Sequence, residues 1–352
     1  MRCLTNLLTA TALATGLATA AAAETVLIYS EGGPNRGTRA EALEDFAQNV
    51  AEMSNGDLAI DIHWGGALIK LTATLGGVRD GAADMGTVLT AYEPLRLMAY
   101  GIGDLPLASS DPWVGMRAMY ELMTTNRQMI DALADENVVY ISNYTSTGIQ
   151  MNCAGDNRIE SIDDIAGKKI RASGTFGKVL NDLGANTVNM GYNEVYQALD
   201  SGLIDCEAGY LYTLEGYKLY EVINHIALAD WGQITGFGIV MNKDIYDGLT
   251  PEQQQVLKDA GDRLVDDFAR AQIEQMDVIV DGLKTGDIGR QVDVVDFDGR
   301  QTLIDASMKY RDEWVEGVTA MGLDGEGLWS EYTDLIAKYE AERDTSGYPW
   351  NR

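Results

Sequence analysis

The chain alternates between short apolar runs of two-residue period and longer stretches of helical period. Thr25–Ser30 (TVLIYS) is a β-branched run that predicts a strand. A helix is expected from about Thr38, with Ala42, Phe46 and Val50 on one face and a stop at Asn55-Gly56. Leu58–His63 alternates and reads as a second strand. Leu71–Asp80 reads as a helix ended by Gly81, and a third strand starts in Ala83–Gly86. Further on, Val138–Asn143, Ile149–Cys153, Lys169–Ala172, Leu203–Glu207 and Phe237–Asn242 read as strands. Ser161 with Asp164 opens a short capped helix, and Phe176–Leu183 and Glu194–Ser201 are helical. Pro251–Leu283 predicts a long acidic helix with Leu257, Ala260, Leu264, Phe268 and Ile273 as its apolar stripe. Thr250 caps it, Pro251 occupies its first turn and Glu252 lies at the positive dipole end. The tail from about Gln301 reads as helical with a loose end.

Strand–helix alternation that starts twice predicts an α/β protein of two lobes, each a parallel sheet covered on both faces. Lobe I is expected over residues 24–147, with about 236–270 returning to it. Lobe II spans 148–235 with part of the C-terminal helical region, and 271–352 supplies connecting and C-terminal helices. The architecture expected is a periplasmic-binding-protein-like clamshell, with ligand between the lobes at the carboxyl ends of strands. An enzyme is compatible with the same architecture.

Residues 1–23 differ from the rest. Arg2 precedes a Leu/Ala/Thr stretch, and Ala21-Ala22-Ala23 fits a small-residue cleavage site. The stretch is short for a membrane span, and it reads as an export signal rather than a buried N-terminal helix. Removing these 23 residues from 352 leaves 329, enough for two lobes. With Arg2 gone, 25 basic face 54 acidic residues, a net charge of −29. That balance argues against nucleic acid and anionic membranes as partners, and it gives weight to any basic residue in a cleft. The two histidines, His63 and His225, are too scattered for a His-based metal site and read as structural. Cys153 and Cys206 survive processing; spacing leaves open a disulfide or two separate thiols.

Several stretches carry a family likeness. They are His63–Gly86 (HWGGALIKLTATLGGVRDGAADMG), Ile165-Ala-Gly-Lys-Lys-Ile-Arg171, Val179-Leu-x-x-Leu-Gly184, Glu194-Val-Tyr-x-Ala-Leu199 and Gly202-Leu-Ile-Asp205. Phe237-Gly-Ile-Val-Met-Asn242 and Leu249-Thr-Pro-Glu-Gln253 extend it. Together they resemble the solute-binding component of tripartite ATP-independent periplasmic (TRAP) transporters, DctP-like family, over essentially the whole mature chain.

The resemblance implies a lobed protein of the Gram-negative periplasm that closes on a small organic acid and hands it to membrane-embedded transporter subunits. It implies no cofactor, no catalysis and a monomer. It also implies that Arg171 grips the ligand carboxylate, for which a guanidinium fork suits better than lysine. An exposed strand-end charge is the other reading of Arg171. Many members carry a second arginine twenty residues earlier; here Met151 stands there, with Gln150 beside it. Gln150 resembles the glutamine of keto-acid binders, and a solvated strand residue is its alternative. Those binders follow with Glu-Trp, which helps hold a cation. Ala208 and Gly209 stand here, so no metal is expected and the keto-acid specificity is not carried over.

Glu207, Tyr210, Tyr212 and Trp231 lie near the same strand end, as cleft walls or as lobe core. Aromatic walls with an arginine suit a carboxylate or sulfonate, and with Glu207 inside a zwitterion through cation–π contact. Arg36, in the loop Glu31–Arg36, and Tyr92 are further candidates from lobe I. Arg36 also reads as a surface residue at a helix start. If the family's ligand positions at Met151 and Gly209 face one ligand, the strand ends converge, and Cys153 and Cys206 come within disulfide reach. Two rivals stand beside transport. One is a periplasmic enzyme, for which no nucleophile–base pair or metal cluster is visible. The other is a ligand-sensing protein that docks on a membrane receptor.

Overall fold

The structure is a computed structural model that describes residues 24–106 and 109–352. The segment read as an export signal lies outside the described residues.

Among the described residues eleven strands form two sheets. The first contains β1 (Thr25–Ser30), β2 (Leu58–His63), β3 (Met85–Leu89), β4 (Val138–Tyr144) and β10 (Phe237–Asn242), in the order β2-β1-β3-β10-β4. The second contains β5 (Gln150–Ala154), β6 (Lys169–Arg171), β7 (Asn186–Val188), β8 (Cys206–Gly209), β9 (Ile223–Leu228) and β11 (Asp293–Asp296), in the order β11-β9-β5-β8-β6-β7. Helices cover both sheets, which gives a two-lobed clamshell.

Neither sheet is purely parallel, contrary to expectation. β10 runs antiparallel to β3 and β4, and β5 runs antiparallel to β8 and β9. The reason lies in the crossings. β4 leaves lobe I and the chain enters lobe II as β5; β9 leaves lobe II and the chain re-enters lobe I as β10. A strand that enters a lobe from the cleft side runs opposite to neighbours that end there.

The two crossing segments hydrogen-bond to each other. Ser146 N donates to Ile234 O at 2.9 Å, and Trp231 N donates to Ile149 O at 3.1 Å. Asp104 ties the returning segment to lobe I by accepting from Gly236 N at 2.8 Å and bonding the Thr90 hydroxyl. This paired ribbon is the natural place for a hinge.

The long helix Pro251–Thr285 starts with a Thr250/Gln253 capping box and Pro251 in its first turn. It packs on the helix Thr38–Met53 and on β4 of lobe I, and later touches β11 of lobe II, so it braces both sheets. Its stripe Leu257, Ala260, Leu264 and Phe268 is buried. The tail is two helices, Arg300–Ala320 and Gly325–Ser346, and its end is docked rather than loose. Tyr348 meets the Trp113 ring edge-on at 5.9 Å, and Arg343 Nη1 reaches Asp111 Oδ2 at 2.9 Å.

Candidate ligand site between the lobes

Three adjacent strands of lobe II build the floor of the site. In β5, β8 and β6 the register places Asn152 opposite Glu207, and Glu207 beside Arg171. Side chains alternate along a strand, so these three share one face. All three are buried: Asn152 and Glu207 at 0% exposure and Arg171 at 3%. Arg171 is thus not an exposed strand-end charge. It ends β6, where the carboxyl ends of strands open towards lobe I.

The floor is held by hydrogen bonds. Asn152 Nδ2 donates to Glu207 Oε1 at 3.2 Å, and the Tyr192 hydroxyl donates to the same oxygen at 3.2 Å. Arg171 Nη2 donates to Met190 O at 3.2 Å, and its guanidinium lies 4.9 Å from the Tyr192 ring centre. Within this floor three buried side-chain atoms have no hydrogen-bond partner among the described residues: Arg171 Nε, Glu207 Oε2 and Asn152 Oδ1. Burial alone would lower the Arg171 pKa; the oxygens of Tyr92, Tyr192, Glu207 and Tyr210 hold it above its ordinary value. Burial raises the Glu207 carboxyl, opposed by Arg171, Asn152 and Tyr192.

Tyrosines form the wall. Tyr192 stacks on Tyr210 at 5.4 Å and meets Tyr217 edge-on at 4.8 Å, and Tyr210 leans on Tyr212 at 5.1 Å. Tyr92 reaches across from lobe I, its hydroxyl accepting from Tyr192 N at 3.2 Å.

Lobe I contributes a buried ion pair. Glu31, at the end of β1, lies 3.7 Å from Arg39, which opens the first helix. Gly33 N donates to Glu31 Oε1 at 2.7 Å. Arg39 Nη1 donates to the Tyr217 hydroxyl of lobe II at 3.1 Å, and Arg39 Nε is unpartnered among the described residues. Two further bonds cross the cleft: Arg36 Nε to Gly216 O at 2.5 Å and Asn193 Nδ2 to Gly32 O at 2.9 Å. The conformation is therefore closed.

The sequence expectations divide cleanly. Arg171, Glu207, Tyr210, Tyr212 and Tyr92 come together. Gly209 abuts them: a Cβ there would sit 2.5 Å from Glu207 Oε1, so the glycine leaves room for that carboxylate. Gln150 is brought to the hinge instead. Its amide clasps Asp230, with Nε2 donating to Oδ1 at 2.7 Å and Oε1 accepting from Asp230 N at 3.0 Å. Asp230 has φ 42, a left-handed conformation that this clasp helps to hold. Met151 points to the opposite face of β5 from Asn152, alongside Cys153. Trp231 is lobe core, edge-on to Phe176 at 4.9 Å with Nε1 donating to Ser307 Oγ at 3.2 Å. Arg36 spends its Nε on a backbone carbonyl rather than on an anion.

Cys153 and Cys206 form a disulfide between directly opposed residues of β5 and β8, with Cα atoms 4.0 Å apart. The bond lies on the back of the sheet and ties the two strands that carry Asn152 and Glu207.

Asn152, Arg39, Tyr192 and Tyr217 were not foreseen. Arg39 did carry a signal: it falls three, four and seven residues before Ala42, Leu43 and Phe46, a charge on an apolar stripe. His225 is buried between Asp293 at Nδ1 (3.3 Å) and Glu160 at Nε2 (3.7 Å). The carboxylates approach opposite ring nitrogens, and Arg158 bonds both Asp293 and Nδ1.

Comparison with known proteins agrees with this architecture. A solute-binding protein of Chromohalobacter salexigens is 26% identical over 226 residues, covering 63% of this chain and 66% of its own length. The C4-dicarboxylate-binding periplasmic protein DctP of Rhodobacter capsulatus is 24% identical over 265 residues, 74% of this chain and 78% of that protein. A TRAP periplasmic solute-binding protein from Bordetella bronchiseptica, solved with bound (R)- and (S)-mandelate, superposes with a TM-score of 0.77. It is 20% identical and covers 90% of this chain and 99% of that one. The model of bacterial extracellular solute-binding protein family 7 (DctP) matches residues 29–302, and the chain belongs to that family.

Proposed function

We propose that the protein captures a small organic acid in the periplasm and delivers it to the membrane subunits of a TRAP transporter. The observation that carries this reading is Arg171: a guanidinium buried in the closed cleft, with neither a partner for Nε nor a carboxylate in ion-pair contact among the described residues. A ligand carboxylate would use that Nε–H, in a site where charge-assisted bonds are strong. The R. capsulatus relative is a C4-dicarboxylate-binding protein, and the Bordetella structure holds mandelate, both consistent with an acid as ligand.

We read the site as one that binds its ligand without reacting with it. The Arg171 Nε–H is a donor with no partner among the described residues, which suits it to hold an anion. Binding closes the lobes about the paired crossing segments.

Thermal unfolding against a panel of carboxylates, sulfonates and zwitterions tests this. A ligand at a thousandfold excess over Kd stabilises by about 4 kcal/mol. A saturable shift, with the compound recovered unchanged by NMR, is the expected result. Turnover of a stabilising compound would point to an enzyme instead.

A further inference from the structure

The unpartnered atoms of the lobe II floor are of two kinds. Arg171 Nε is a donor; Glu207 Oε2 and Asn152 Oδ1 are acceptors. A bare carboxylate would satisfy the donor alone. It would leave two buried acceptors facing an anion, which costs free energy. Glu207 is wholly buried, has no cation in ion-pair contact among the described residues, and lies beside Arg171 in the strand register.

The charges balance internally. Arg171 and Glu207 on lobe II, with Arg39 and Glu31 on lobe I, sum to zero. A monoanion would leave a net negative charge in a closed site of a protein of net charge −28. A ligand with separated but equal charges would leave none. The Tyr192 ring, whose hydroxyl bonds Glu207 Oε1, lies beside the acceptors, and aromatic rings attract cations.

We infer that the ligand is a zwitterion, whose carboxylate meets Arg171 and whose cationic nitrogen lies by Glu207 and Asn152 against the tyrosine wall. This rests on the carboxylate reading of Arg171 given above. It adds a second pole and turns Glu207 into the specificity-determining residue.

Matched compounds that differ only in the cationic centre test it: glycine betaine against 3,3-dimethylbutanoate, proline against cyclopentanecarboxylate, pipecolate against cyclohexanecarboxylate. Calorimetry at pH 7.5 with the mature protein is expected to show at least one zwitterion bound tenfold or more tighter than its partner acid. Glu207→Gln should cut that affinity more than tenfold while leaving the acid's affinity unchanged or improved. Asn152→Ala, which removes the neighbouring acceptor, should discriminate in the same direction if Glu207→Gln folds poorly. Acids that bind as tightly as their zwitterions, no binding by any zwitterion, or zwitterion binding indifferent to both variants would each overturn the inference. Arg171→Lys separates the two layers: it should weaken binding of every compound roughly 30- to 150-fold, and affinities within about threefold of the parent would instead remove the carboxylate reading.

Discussion

Asn152 and Glu207 face each other across β5 and β8, and the amide donates to the carboxylate at 3.2 Å while one oxygen of each stays free. A buried carboxylate with an unpartnered oxygen costs the ligand-free protein stability. Burial raises the Glu207 pKa above its ordinary value, so the folded protein holds that proton more tightly than the unfolded chain. The stability it contributes is present below the ordinary carboxyl range and lost as pH rises through the raised value. Ligand-free Glu207→Gln should therefore melt higher than the parent at pH 8, and the gap should close towards pH 4. A lower melting temperature at pH 8 would show that Glu207 serves the fold.

Asp104 makes a similar prediction at the hinge. Burial, opposed by Thr90 and Gly236 N, raises its pKa from 3.8 to about 6. The favourable contribution is complete below about pH 4 and is lost as pH rises through about 6. A shift of this size is worth up to about 3 kcal/mol. Urea unfolding of Asp104→Asn from pH 4 to 7 should show a flatter stability profile than the parent. Parallel profiles would assign the pH dependence elsewhere.

The Cys153–Cys206 bond closes a loop with a sequence separation of 53. The chain-entropy model gives about 4 kcal/mol for a loop of that length. Reduction under native conditions, or Cys153→Ala with Cys206→Ala, should lower stability by that order. Because the bond ties the strands of Asn152 and Glu207, affinity should fall as well. Unfolding of the double variant within about 1 kcal/mol of the parent would contradict the entropic account.

Closure rests on few direct bonds across the cleft. Asn193 Nδ2 donates to Gly32 O at 2.9 Å, and neither lobe depends on that bond for its own core. Asn193→Ala should weaken ligand binding severalfold, as loss of about 1 kcal/mol predicts, with the unfolding midpoint of the free protein nearly unchanged. Small-angle scattering should show a larger radius of gyration at subsaturating ligand. Unaltered affinity would mean that this contact is incidental to closure.

The strands written as β-branched apolar runs were legible in the sequence: β1, β2 and β10 have the expected bounds. β9 (INHIAL) was missed because Asn224 and His225 interrupt its apolar pattern, although His225 is buried. The reversed directions of β5 and β10 were not legible, because residue patterning carries no strand direction; the crossings between lobes impose it. Arg171 was legible through the family motif around it. Its partner was misplaced by one residue, and one residue on a strand exchanges the faces. Met151 therefore lies on the face of the disulfide, and Asn152 on the face of Glu207 and Arg171. Gln150 shares the Asn152 face of β5, yet Asp230 claims both ends of its amide, a tertiary contact over 80 residues that spacing cannot show.

The proposed function requires Arg171 to be the fork that holds a carboxylate. Calorimetric titration of Arg171→Lys and the parent with a compound identified by thermal shift tests this most directly. Losing one of two charge-assisted bonds while keeping the charge should cost on the order of 2–3 kcal/mol, roughly a 30- to 150-fold weaker Kd, with the fold intact by circular dichroism. An affinity within about threefold of the parent would place the carboxylate elsewhere and contradict the account.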